Sequence, residues 1–126
     1  MSALKRGMVL DIDLDPTKGS ETGKIRPCVI VTNNIYNSHL PVIQVVPLTG
    51  WTEKKAAILT NVEIAPTEGN GLGKRSVADC LQTRPIDHRY RLVAVRGQIS
   101  PQGLDRIDEA LRIVFDLESQ ERQFKM

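Results

Sequence analysis

Aromatic side chains are scarce: Trp51, Tyr36, Tyr90, Phe115 and Phe124 are all that 126 residues contain. A protein that reads single-stranded nucleic acid mainly by aromatic stacking usually carries more. Cysteine is limited to Cys28 and Cys80, far apart, in apolar surroundings and without CxxC spacing. That argues against a disulfide framework and reads as two reduced core thiols. Histidine is limited to His39 and His88, each among turn residues, so a zinc site is not expected and surface positions are. No segment approaches the roughly 18 apolar residues of a membrane span. The opening MSALKRGMVLDIDLD holds no apolar run of signal-peptide length, so a cytoplasmic protein without membrane contact is expected. The phosphate-cradling GxxxxGKS/T loop, the GxSxG nucleophile elbow and the HExxH zinc helix are all missing.

What is present suits one globular domain. At 126 residues and 40% hydrophobic side chains, one core can form without disulfides or metal. The net charge of +2 is small but unevenly placed. Residues 1–100 carry 13 Lys/Arg against 9 Asp/Glu, and residues 101–126 carry 4 against 6. Such an imbalance is more often solvated surface than a binding face.

Along the chain, Gly7 to Leu14 reads as a half-buried strand, its apolar residues broken by Asp11 and Asp13. Residues 15–24, DPTKGSETGK, form a long polar loop of the kind that is usually functional. Pro27 to Thr32 is an unbroken β-prone run suited to burial on both faces. Asn33 to Ser38 is turn-like. Val42 to Leu48 is a strand with Pro47 near its end, and 50–57 is a basic loop. Leu59 to Ile64 alternates as a strand, and the glycines of 65–75 mark another loop. A short strand over Ser76 to Asp79 leads into Gln82, and Leu92 to Ile99 is the last strand. Ser100 is placed as N-cap and Pro101 at the first helical position. Leu104, Ile107, Leu111 and Val114 then form one apolar helical stripe. This order predicts a mainly β fold with a C-terminal helix: a small antiparallel barrel, or a strongly curved sheet, with the helix packed on it. Residues 1–117 form the single domain and 118–126 a polar tail.

The remaining candidates for chemistry are polar residues at strand ends. Arg26 precedes the buried PCVIV strand, and composition alone favours a snorkelling rim residue over one aimed into a cleft. Thr49 ends the VVPLT strand, where a turn-starting threonine is the plain explanation. Gln82 lies in an apolar stretch, where it can simply satisfy backbone groups. Glu21 alone means little. Trp51 either stacks on a base or caps the barrel.

Taken together, these segments resemble the MazF/PemK toxins. Gly7 to Asn34 carries the family's glycine-led first strand, then D-P-x-x-G-x-E at Asp15, Pro16, Gly19 and Glu21. R-P-x-x-I-V follows at Arg26, Pro27, Ile30 and Val31. Val45 to Thr49 matches the family strand ending in threonine, and Gln82 to Asp87 matches Q-x-R/K-x-I-D. The resemblance spans about residues 6–117. It implies an SH3-like barrel that dimerises and acts as a sequence-specific endoribonuclease toxin. The implied substrate is single-stranded RNA, messenger RNA first among the candidates, and the implied inhibitor is a cognate MazE-like antitoxin. It implies Arg26 and Thr49 as the catalytic pair, with no cofactor and no metal. Lys18, Gly19, Ser20, Glu21, Lys24, Gln82 and Arg84 are implied to shape the RNA site or contact RNA.

One position departs from the family pattern: Leu81 stands where many members carry an acid before the glutamine, and the nearest acid is Asp79. That favours an Arg/Thr mechanism over an acid-dependent one. RNA supplies its own nucleophile, the 2′-OH. A planar guanidinium matches phosphate oxygens bidentately. An arginine side chain normally loses its proton only above about pH 12, so Arg26 is read as charge stabiliser and proton donor. Two other readings share the fold. One is a non-catalytic binding toxin of the gyrase-inhibiting CcdB type, and the other is an inactive interaction barrel.

Overall fold

The computed structural model describes residues 4–117; the expected tail, 118–126, lies outside the described residues. Seven strands are present: β1 (Met8–Asp13), β2 (Ile25–Ile30), β3 (Val42–Gly50), β4 (Asn61–Ile64), β5 (Ser76–Asp79), β6 (Arg84–Asp87) and β7 (Leu92–Gln98). Four helices accompany them: α1 (Asn34–His39), α2 (Glu53–Ala56), α3 (His88–Arg91) and α4 (Pro101–Val114). All pairings are antiparallel, in the order β4-β5-β3-β2-β1-β7 with β6 also on β3.

The long central strand β3 organises the sheet. Along one edge its first half pairs with β6, Val42 to Val45, and its last residues pair with β5, Leu48 to Gly50. Pro47, which has no N–H to give, falls between those two ladders. No ladder joins β4 to β7 among the described residues. Instead the 65–75 loop closes on β7, with Gln98 N donating to Gly69 O at 2.9 Å. The approach is so close that a Cβ on Gly97 would collide with Gly69 O, which is why glycine is needed there. The sheet is thus strongly curved and shut by a loop, within the mainly β architecture expected.

Alternation sends neighbouring residues into two cores. Val9, Val29 and Val46 join Leu48, Val62, Ala78 and Cys80 beneath α4. Leu10, Cys28, Ile30 and Val45 face the other way, with Leu14, Ile43 and Ile86. The run PCVIV is buried on both faces for this reason. On α4, Ser100 Oγ accepts from Gly103 N at 3.0 Å with Pro101 behind it, as the sequence predicts. Ile107 is fully buried, and Leu104, Leu111 and Val114 pack against the same cluster. Burying one such side chain contributes about 1.5–3 kcal/mol.

Three short segments differ from the sequence expectation. Asn33 to Ser38 is no mere turn, because Asn33 Oδ1 accepts from Ile35 N at 2.8 Å and starts α1. Within the basic loop Thr52 Oγ1 accepts from Lys55 N at 3.1 Å and winds α2. The 84–87 stretch is a strand, made so by pairing with β3, and Asp87 Oδ1 then caps α3 through Arg89 N at 3.0 Å. Among the described residues no helix is long and apolar enough to cross a membrane.

Candidate active site

Cys28 opposes Pro47 in the β2–β3 ladder. The ladder ends there, and just beyond it Arg26 on β2 and Thr49 on β3 both border one cleft. Both are half-buried. They line one cleft of about 450 Å³ with Leu48, Leu72, Lys74 and Arg96. Arg26 therefore faces a cleft, against the rim position that composition favours. Its Nε donates to Gly23 O at 3.1 Å, which orients the guanidinium. Its terminal nitrogens have no hydrogen-bond partner among the described residues.

Thr49 Oγ1 accepts from Lys55 Nζ at 3.4 Å. A hydroxyl that accepts from an ammonium keeps its own proton to donate elsewhere. Lys74 Nζ lies on the other side of this strand end, 3.4 Å from where a Cβ on Gly50 would be. Neither lysine was singled out by the sequence. The missed signal for Lys55 was Thr52 as a helix cap, which places Lys55 in α2 within reach of Thr49; Lys74 had no signal. Arg96 is already engaged, by Asp11 Oδ1 at 2.6 Å and Gly71 O at 2.9 Å.

The 15–24 loop lines no part of this cleft but runs into it at Ile25 and Arg26, touching Arg26 through Gly23 O, and hydrogen bonds to its backbone hold it. Leu14 N donates to Lys24 O at 2.9 Å and Lys24 N to Asp15 Oδ1 at 3.0 Å. These bonds pin Lys24 at φ +68, a conformation that costs a non-glycine residue ~1 kcal/mol. Gly19, at φ +54, turns the loop tip without that cost. Glu21 Oε1 accepts from Lys18 N at 2.8 Å and closes the tip. Gln82 reaches across with both ends of its amide: Nε2 donates to Ser20 O and Oε1 accepts from Thr22 N, each at 3.1 Å. Arg91 Nη1 ties down the loop's start through Asp13 O and Asp15 O, at 2.8 and 2.6 Å. Gln82 and Glu21 thus shape the loop, while Lys18, Gly19, Ser20 and Lys24 are exposed on it. Arg84 does not line the cleft. It sits half-buried on β6 opposite Val45.

Leu81 is 68% exposed, in the 3-10 turn that follows β5. Neither it nor Asp79 lines the Arg26–Thr49 cleft. Trp51 belongs to neither core cluster. Its Nε1 donates to Glu63 Oε1 at 3.1 Å, and Arg75 Cζ lies 3.8 Å over the ring centroid. Arg75 Nε donates to the other Glu63 oxygen at 2.6 Å. That bond, with the Arg75 charge and the indole N–H adding to it, holds the Glu63 carboxyl below the usual carboxylate range.

Other reactive groups stand apart. Burial pushes the Cys28 and Cys80 thiols up to about 12, so neither is a thiolate nucleophile near neutrality. His39 and His88 share a separate shallow hollow. Among the described residues no group of three or more His, Cys, Asp or Glu is arranged to hold a metal ion.

Comparison with known proteins gives the chain's family and its relatives in fold. Residues 5–115 match the family described as PemK-like, MazF-like toxin of type II toxin–antitoxin system. The chain is 36% identical over 110 residues to Endoribonuclease EndoA of Bacillus subtilis (strain 168), covering 87% of this chain and 92% of that protein. In fold it is similar to MazF of Deinococcus radiodurans, with TM-score 0.79 at 20% identity over 93% of this chain and 100% of the other. It is similar also to a mycobacterial endoribonuclease solved in complex with its cognate antitoxin, with TM-score 0.73 at 24% identity over 93% and 99%.

Proposed function

The chain belongs to the PemK-like, MazF-like family of type II toxin–antitoxin toxins, and on that basis we propose that it is an endoribonuclease cutting single-stranded RNA in the Arg26–Thr49 cleft. One observation carries the reading. An oriented guanidinium with unpartnered terminal nitrogens faces a hydroxyl that a lysine leaves free to donate.

The chemistry follows from charge and alignment. The 2′-oxygen attacks the adjacent phosphorus, and the P–O5′ bond breaks. The proton lost from the 2′-OH passes to solvent water, and the leaving 5′-oxygen gains one through Arg26, which water reprotonates. Products are a 2′,3′-cyclic phosphate and a 5′-hydroxyl. Arg26 binds the phosphoryl oxygens and donates towards the leaving oxygen. Thr49 donates to a non-bridging oxygen, and Lys55 and Lys74 add positive charge. Such preorganised donors are worth most where charge develops in the transition state. Because side-chain cations supply this charge, the cut is metal-independent.

The loop residues act around this centre. Gln82 fixes the loop, while Lys18, Ser20 and Lys24 present donors along the RNA path, and Arg84 adds basic charge behind β2. Partners follow the same logic. A cognate antitoxin offering an extended acidic segment competes with RNA for the cationic cleft. If antitoxin saturation left RNA affinity unchanged, the shared site would be wrong. A homodimer is also proposed, and its apolar contact area is supplied by Phe115 and Leu117 beside Leu111. Sedimentation at micromolar concentration tests it.

The deciding experiment incubates a long single-stranded RNA with the protein in EDTA, beside Arg26→Ala and Thr49→Ala, and maps the ends. Cleavage at a recurrent short motif with 5′-hydroxyl ends, lost in both variants, is the expected result. Folded protein that leaves RNA intact would favour the non-catalytic binding toxin or the inactive barrel. Cutting of a substrate that is 2′-deoxy at the cleavage site would refute the 2′-OH mechanism.

A further inference from the structure

Beside the cleft, three side chains form a unit that the cleavage chemistry does not use. Trp51 follows β3 directly, two residues beyond Thr49, which is roughly 7 Å along an extended chain. Its ring lies under Arg75, at 3.8 Å from Cζ to centroid. Glu63 grips both partners, one carboxylate oxygen on the indole N–H at 3.1 Å and the other on Arg75 Nε at 2.6 Å. The backbone joins them again, Trp51 N donating to Arg75 O at 3.1 Å. Arg75 nevertheless remains half open to solvent, its side chain 52% exposed. Its immediate neighbours in the chain, Lys74 and Ser76, line the cleft itself.

We infer that the Trp51–Arg75 pair is a stacking platform for the nucleobase next to the scissile phosphate, and so a specificity-determining subsite. This rests on the ribonuclease reading. A guanidinium is flat and weakly hydrated, and RNA bases stack on guanidinium planes as they do on aromatic rings. Here the guanidinium is held in place before RNA arrives, so little ordering remains at binding. Glu63 fixes the stack but touches no RNA; it is a positioning residue. The platform also explains how a chain with few aromatics can grip a single strand: one indole, extended outward by an arginine, serves at the one place where a base must be splayed from its neighbours.

Trp51 is the sole tryptophan, so its fluorescence reports on the platform. The probe is a short single-stranded RNA containing the mapped cleavage site, made uncleavable by a 2′-deoxy nucleotide there. Binding quenches Trp51, and an abasic replacement of the nucleotide beside the cut abolishes the quench. Arg75→Gln weakens binding of the intact probe by roughly 5- to 100-fold, the range for losing one stacked base, and makes the protein indifferent to the abasic change. Arg75→Lys retains the charge and loses the plane; it too becomes indifferent to the abasic change. Wild-type protein that cuts RNA normally, yet shows no quench and the same response to the abasic probe as Arg75→Lys, would overturn the platform and leave the ribonuclease intact. Failure both to cut and to bind would remove the ribonuclease reading, and the platform with it.

Discussion

The cleft is flanked by two segments, a loop wall that runs into Arg26 and a wall around Thr49, and they are built on different principles. The 15–24 wall is held through its backbone: an amide from Gln82, a carboxylate from Asp15 and a guanidinium from Arg91 all bind main-chain groups. The 49–75 wall is held through side chains: Lys55 on Thr49, and Glu63 on both Trp51 and Arg75. A backbone-held wall fixes shape whatever side chains it displays. A side-chain wall fixes charge and planarity, and it answers to salt and pH. Shape on one side and electrostatics on the other is a division that suits the sequence-specific ribonuclease proposed above.

The largest effect is expected where the walls meet. Thr49→Val keeps the strand's shape and removes only the hydroxyl. Single-turnover cleavage should fall by roughly 10²–10³-fold with thermal stability nearly unchanged. A matching drop in stability would show that Thr49 serves the sheet instead. Next comes the backbone-held wall. Gln82→Leu removes both bonds to the loop at similar volume. Cleavage should drop by roughly 10- to 100-fold, since small misplacements are costly, while the salt dependence of RNA binding stays as in the parent. A changed salt slope would place Gln82 on the RNA after all.

The side-chain wall should behave oppositely. Lys55→Ala and Lys74→Ala each lower the slope of log affinity against log salt by roughly 0.7, the value for one phosphate contact with a single strand. If neither slope moves, these lysines do not meet phosphate. The smallest effect is on pH. The Glu63 carboxyl titrates below its ordinary range in the folded protein. Its contribution is therefore complete above that ordinary value and fades as pH falls through the lowered one. A shift in Trp51 emission as pH falls below the ordinary carboxylate range should report this, absent in Glu63→Gln. A transition at the same pH in that variant would assign it to other groups.

Much of the fold was legible in the residues. Alternation and β-branched runs marked the strands, and Ser100-Pro101 with the stripe from Leu104 to Val114 marked α4. What escaped was local structure that depends on a partner. The 84–87 segment is a strand only because β3 offers it an edge. Gln82, read alone, was a generic polar residue; its role depends on a loop about sixty residues away. Trp51 offered two readings, and only the structure shows that Glu63 and Arg75 hold its ring.

The sequence by itself determined the class of fold, the helix and its cap, which follow from local propensity and periodicity that the chain carries wherever it goes. Its ordered motifs resemble those of the MazF/PemK toxins, and it was that resemblance, not the residues read alone, that pointed to the family and to Arg26 and Thr49. The tertiary structure alone decided that Arg26, Thr49 and Lys74 share a cleft, that Lys55 reaches Thr49, and that Arg75 lies on Trp51. Those relations depend on register between strands and on loop closure. Both are set by the packing of two cores at once, and no window of sequence contains them.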